Sequence, residues 1–325
     1  MILAVDGGQT GTVAVAGDVD GTVRGAGRGG PIRHPAEPGA AEGNREALAD
    51  AVGAACAGLT GPFVAYLSLT SALGPASEIV RTLVPAAAVV AESDGVAALA
   101  SGTGAGPGIG LIAGTGTVAL AAGPAGERVT RGGWGWYLGD EGSGHWIGHA
   151  ALRAACAAED GRAPESPLTR RVRERLAVDS MRRVYERVHH GTLDRAEVAA
   201  LAVEVSACAA AGDPAAGAIV RDAGAALADL VAATAAAAPF LTGDDRIVVP
   251  AGGVLSAGSP VLRAFIEVLA ARLPGYRVAA PPVPPVGGAY LLAVRHAGGA
   301  VDRAVQDRLA AGLAAVSQQI LKGQS

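Results

Sequence analysis

The chain has 325 residues, a formal net charge of −4, and a composition that is half hydrophobic but only 3% aromatic. That length implies one large or two ordinary domains with a core built from alanine, valine and leucine, and the slightly acidic balance with no basic run argues against a nucleic-acid partner. Three scattered cysteines without a CxxC pair argue against a zinc or iron–sulfur cage within one chain, and no apolar run approaches the ~20 residues of a membrane helix. With no basic n-region before the first apolar run, a cytoplasmic protein without a membrane partner is expected.

Residues 1–5 are apolar and strand-like, and the apolar pattern resumes at 13–17. Between them lies Asp6-Gly7-Gly8-Gln9-Thr10-Gly11-Thr12, so the opening reads as a β-hairpin. Its glycines let backbone N–H groups approach an anion, and its threonines add hydroxyl donors. An acid in a loop built for anions makes sense if a divalent cation lies between them, which points to phosphate and Mg²⁺. A third short strand is expected at 22–27, then a Gly/Pro-rich loop at 27–39 and a helix at 44–59. A strand at 63–71, a short helix at 76–84, a strand at 86–95 ending in acids, and a short helical piece at 95–102 complete a β-β-β-α-β-α-β-α order.

Residues 107–123 then repeat the opening: strand, glycine–threonine turn, strand, with Ala113-Gly114-Thr115-Gly116-Thr117 echoing 7–12. This echo suggests a duplicated domain, with a cleft between lobes as the natural ligand site. Residues 127–155 read as strand, glycine-rich loop and helix. Helices follow at 167–190, 194–211 and 214–238. A strand and glycine turn span 245–258, a helix 259–273, an edge strand 276–285, a helix 286–298, and an amphipathic helix 302–321. Three glycine turns thus follow three strands, at 7–12, 114–117 and 252–253. Any one alone could be an ordinary turn; three in this order are more specific.

That order, together with Gly-Gly-Trp-Gly-Trp-Tyr-Leu-Gly-Asp-Glu-Gly-Ser-Gly-His-Trp-Ile-Gly at 132–148, resembles the sugar-kinase/Hsp70/actin superfamily. Within it, the 132–148 block resembles the BadF/BadG/BcrA/BcrD ATPase group, which includes N-acetylglucosamine kinases. The resemblance implies an α/β, two-lobed actin-like ATPase fold of duplicated RNase H-like domains with a central cleft. It places an N-terminal lobe at 1–106, a C-terminal lobe with the sugar and adenosine sites at 107–289, and helices at 290–325 returning to the first lobe. It implies ATP and Mg²⁺ as cofactors and, dimers being usual in that group, a homodimer.

The resemblance also assigns residues. Asp6 would hold Mg²⁺, directly or through water. Gly8, Thr10 and Thr12 would cradle the phosphates from one lobe, and Gly114, Thr115 and Gly116 from the other. Gly252 and Gly253 would pass the adenosine, with Ala209 and Gly212 as weaker candidates for the opposite wall. Asp94, at the end of its strand, is the expected base that accepts a sugar hydroxyl's proton; its plain alternative is a helix N-cap. Asp140 is assigned to the sugar, Glu141 is its neighbour in the same loop, and Gly133, Trp134 and Gly135 would line the pocket. Trp136 and Trp146 fit a core plug equally well. His145 and His149 have metal-ligand spacing but no third ligand, so no metal is expected there.

The group's glycine–glycine–small–asparagine loop, whose asparagine helps hold the sugar, reads Gly29-Gly30-Pro31-Ile32-Arg33-His34 here, with no asparagine before Asn44. The expected reaction is therefore phosphorylation of the 6-hydroxyl of an amino sugar, glucosamine being favoured over N-acetylglucosamine. The weaker alternatives are an ATP-driven activator of 2-hydroxyacyl-CoA dehydratases, which needs clustered cysteines, and a non-enzymatic ATP switch.

Overall fold

A computed structural model describes residues 1–70 and 73–322. It divides into two compact units, Met1–Gly110 with the chain from Ala279 onward, and Leu111–Val278.

The first unit opens with β1 (Ile2–Gly8), β2 (Gly11–Gly17) and β3 (Val23–Gly29), and continues with α1 (Ala40–Ala55), β4 (Phe63–Leu69), α2 (Leu73–Leu83), β5 (Ala86–Ser93) and α3 (Asp94–Thr103). The expected element order is present. Its sheet runs β3-β2-β1-β4-β5, antiparallel through the first three strands and parallel from β1 to β4 to β5. The period-2 alternation of β1 splits its side chains between two cores. Leu3 and Val5 join Leu48, Leu67 and Val80 beneath α1 and α2. Ile2 and Ala4 join Tyr66, Ala97, Tyr290 and Leu309, beneath α3, α10 (Pro285–His296) and α11 (Arg303–Lys322).

The second unit begins within β6 (Gly108–Ala113) and holds β7 (Thr117–Ala122), β8 (Arg128–Gly132), α4 (Gly144–Glu159), α5 (Pro167–Arg175), α6 (Met181–His189), α7 (Arg195–Ala210), α8 (Pro214–Ala236), β9 (Ile247–Ala251), α9 (Pro260–Arg272) and β10 (Arg277–Val278). Its sheet runs β10-β9-β6-β7-β8, the first unit's order read from the other edge. The echo in sequence is therefore an echo in topology.

Several boundaries differ from expectation for identifiable reasons. The first turn is only Gln9–Thr10, because β1 and β2 stay paired through Gly8 and Gly11. The helix expected at 44–59 begins at Ala40 and stops at Ala55, before the left-handed Gly58 (φ 74°). The strand expected at 63–71 ends at Leu69; its last residue, Ser71, lies outside the described residues. The single helix expected at 167–190 is two. Ala177 takes φ 52°, and the Glu159 carboxylate accepts the Met181 N–H at 2.6 Å, occupying the start of α6. The edge strand expected at 276–285 shrinks to Arg277–Val278, since Pro281, Pro282 and Pro284 supply no N–H to a ladder. Among the described residues no single helix is long and apolar enough to cross a membrane; only α7 and α8 jointly reach that composition, across a 116° bend.

Candidate active site

In the first unit the parallel strands end in a row of polar groups. Asp6 pairs in register with Ser68 of β4, and Ser68 with Glu92 of β5. Alternation puts all three on the face of Ile2, Ala4, Tyr66 and Val90. The C-terminal ends of parallel strands are where open α/β sheets bind ligands. β5 ends at Ser93, and α3 begins at once with Asp94. Ser93 occupies the N-cap position, so Asp94 is the first helical residue and not the cap.

These acids crowd one another. Asp6 is half-buried, and its carboxyl is pushed up to about 7, first by burial and then by the Asp94 charge, with Ser68 acting the other way. Ser68 is fully buried, and its Oγ makes no well-formed hydrogen bond. The Asp94 carboxyl is also raised by burial, offset in part by its own N–H and that of Gly95 at the start of α3. Two acids that disfavour each other's ionised form suit a site where a cation restores both charges, and so fit the Mg²⁺ expected at Asp6.

The hairpin beside them has one open position and one strap. A Cβ on Gly8 would meet nothing within 4 Å, and its φ is not in the left-handed region, so the fold itself does not demand glycine there. Thr10 is exposed at the tip. Thr12 is buried and donates its hydroxyl to the Gly30 carbonyl at 2.7 Å, so the expected phosphate donor instead ties down the 29–34 loop. The Ile32 N–H donates to the Gly8 carbonyl at 2.9 Å. Asn44, the first asparagine after that loop, lies in α1 and folds back onto it. Its amide accepts the Arg33 N–H at 2.8 Å and donates to the Arg33 carbonyl at 3.0 Å.

The second unit builds its turn differently. Asp140 is buried in the left-handed region (φ 59°) and accepts the Thr117 N–H at 3.1 Å. Gly133 donates its N–H to the Thr117 carbonyl at 2.9 Å. Both ends of the 133–140 loop are thus hooked to Thr117, the last residue of the glycine–threonine turn. Gly116 packs on Asp140: a Cβ there would lie 2.9 Å from Oδ2. Gly144, the first residue of α4, donates to the Gly114 carbonyl at 2.7 Å, and Ser143 caps that helix by accepting the Trp146 N–H. Gly252 (φ 94°) packs against the same turn, where a Cβ would lie 2.4 Å from the Ala113 carbonyl oxygen. Gly114 and Gly253 resemble Gly8 in having open space at the Cβ position.

The structure therefore gathers Gly114, Thr115, Gly116, Asp140 and Gly252 around one turn, with Gly253 next in chain. Asp140, expected at the sugar, accepts a backbone N–H within its own unit through Oδ1. Glu141 is exposed. Trp134 is 70% and Trp136 49% exposed, so the core-plug reading fails for Trp136; Tyr137 and Leu138 complete an open loop tip. Ala209 and Gly212 lie at the α7–α8 corner, which Asp213 holds by accepting the Leu168, Ala215 and Ala216 N–H groups. His145 and His149 stack at 6.4 Å, and among the described residues no group of three acids, histidines or cysteines is placed to grip a metal. Sequence reasoning passed over Ser68 and Thr117, and left Glu92 open; only strand register reveals the first and third.

Residues 3–293 match the BadF/BadG/BcrA/BcrD ATPase family. The chain belongs to that family. It is 28% identical over 181 residues to an N-acetylmuramic acid/N-acetylglucosamine kinase of Clostridium acetobutylicum, across 55% of this chain and 58% of that one. It is 35% identical over 144 residues to an N-acetyl-D-glucosamine kinase of Dictyostelium discoideum, across 43% of this chain and 44% of that one. The matches thus span about half the length of these curated relatives. A solved structure of a candidate N-acetylglucosamine kinase from Chromobacterium violaceum is 30% identical with a TM-score of 0.68, over 90% of this chain and 98% of that one. The fold is the actin-like α/β fold of such sugar kinases.

Proposed function

We propose that this chain is an ATP-dependent amino-sugar kinase, transferring the γ-phosphoryl group to the 6-hydroxyl of N-acetylglucosamine, with glucosamine as the second reading. The observation that carries it is Asp94: a carboxylate at the first turn of a helix, beside a second acid, with its proton affinity raised by burial. Such a group accepts the hydroxyl proton as the sugar oxygen bonds to phosphorus and the bond to ADP breaks, then releases the proton to solvent. Gly8 and Gly114, glycines the fold does not require, fit backbone approach to phosphate, and Gly253 fits approach to the adenosine. Asp6 would hold a divalent cation, which when bound neutralises charge across the phosphates.

The names of the relatives favour the acetylated sugar. A cytoplasmic setting follows from this reading. The test is ADP release with Mg-ATP and each of N-acetylglucosamine, glucosamine and glucose. N-acetylglucosamine should lead by about tenfold or more in kcat/KM. A lead for glucosamine would reverse the order of the two readings, and no turnover with any of the three would overturn the amino-sugar assignment.

A further inference from the structure

Glu92 has no place in the reaction as read so far, yet it ends the row of Asp6 and Ser68 on a face whose remaining residues, Val64, Tyr66 and Val90 among them, form an apolar core. A carboxylate there is costly unless something uses it. It is half-buried and accepts a hydrogen bond from the Tyr66 hydroxyl, whose ring is buried and lies 5.7 Å from that of His296. Strand register sets Ser68 directly between Glu92 and Asp6. The Ser68 hydroxyl is fully buried without a well-formed hydrogen bond, in the middle of the row and close enough to Asp6 to favour its charged form. Among the described residues no three acids converge closely enough to grip a bare ion, whereas Mg²⁺ retains much of its water shell in protein sites.

We propose that Glu92 is a third carboxylate of the cation site, a positioning residue held by Tyr66 that acts with Asp6 and Asp94 on the water shell of a divalent cation. This rests on reading Asp6 as the cation-holding acid. Outer-shell groups of this kind set affinity and orientation without touching the ion.

The probe is Mn²⁺, followed by its electron paramagnetic resonance signal during titration of the full chain, with and without ADP. Asp6→Asn should abolish uptake. Glu92→Gln should weaken it about tenfold. Tyr66→Phe, which keeps the buried ring, should weaken it about two- to threefold, and the double variant should be no worse than Glu92→Gln alone, because on the cation the hydroxyl acts through the carboxylate. A purely structural Tyr66–Glu92 strap would lower thermal stability and leave Mn²⁺ affinity alone. If Asp6→Asn loses Mn²⁺ while Glu92→Gln and Tyr66→Phe bind it as the wild type does, the role of Glu92 is overturned and the reading of Asp6 survives. If Asp6→Asn binds normally, or the wild type takes up no Mn²⁺ with or without ADP, both fall. Should Glu92→Gln not fold, the affinity of Tyr66→Phe alone decides.

Discussion

The two units share a strand order but use their acids in opposite ways. In the first, Asp6 and Asp94 lie at strand and helix ends without a cationic partner among the described residues, each with its proton affinity raised. In the second, Asp140 is buried and accepts a backbone N–H, and the turn it serves is anchored on Thr117 and on the start of α4. The two units carry one strand order; the first gathers two acids whose charge is disfavoured, and the second uses its acid to hold the turn. An acid whose charge is disfavoured by burial costs stability, whereas one whose hydrogen bond holds a turn contributes it.

The sharpest way to break that contrast is to neutralise one acid from each unit. Asp94→Asn should lose about a thousandfold or more in turnover, while nucleotide binding and the urea midpoint stay near wild type. Asp140→Ala should do the reverse in stability. It leaves the Thr117 N–H without its acceptor and forces alanine to φ near 60°, at a cost of about 2 kcal/mol in urea unfolding. Asp140→Asn keeps an acceptor and tolerates the left-handed backbone, so it should cost less than half of that. If Asp94→Asn retained more than a tenth of the activity, or Asp140→Ala unfolded like the wild type, the division of labour would be wrong.

The glycines sharpen the comparison at smaller scale. Gly252→Ala places a methyl 2.4 Å from the Ala113 carbonyl oxygen at φ 94°, so the turn must shift and stability should fall by about 2–3 kcal/mol. Gly8→Ala meets nothing within 4 Å, so thermal stability should hold within a degree or so while KM for ATP rises several-fold. Equal losses of stability in the two variants would mean that Gly8 is structural too.

The hairpins and the duplicated order were legible because glycine–threonine turns after apolar runs leave a local signature. The row of Asp6, Ser68 and Glu92 was not, because it joins three strands whose register only the folded sheet sets. Adjacent acids in one loop, as at 140–141, cannot be sorted from sequence, since the inward one is chosen by which N–H lies within reach. The break between α5 and α6 was hidden for a related reason: Ala177 carries no helix-stopping signal, and the carboxylate that starts α6 comes from Glu159, far back in the chain.

The smallest effect isolates what the unpaired acid costs. Asp6 titrates near 7 in the folded chain and near 3.8 when free, so between those values the folded state holds a proton that the unfolded state has lost. Stability then falls as pH rises from about 4 to about 7 and is flat above, the full penalty being present at pH 8. Asp6→Asn removes the ionisation. It should melt at the same temperature as wild type near pH 4 and a few degrees higher at pH 8, about 1–2 kcal/mol after discounting for a half-exposed side chain. Added Mg²⁺ should raise the wild-type melting temperature at pH 8 and leave that of Asp6→Asn unchanged, because only the ionised carboxylate has a charge for the cation to balance. Parallel melting curves for the two proteins from pH 4 to 8 would mean that Asp6 is not held in this raised state, and that the first unit pays no stability for its site.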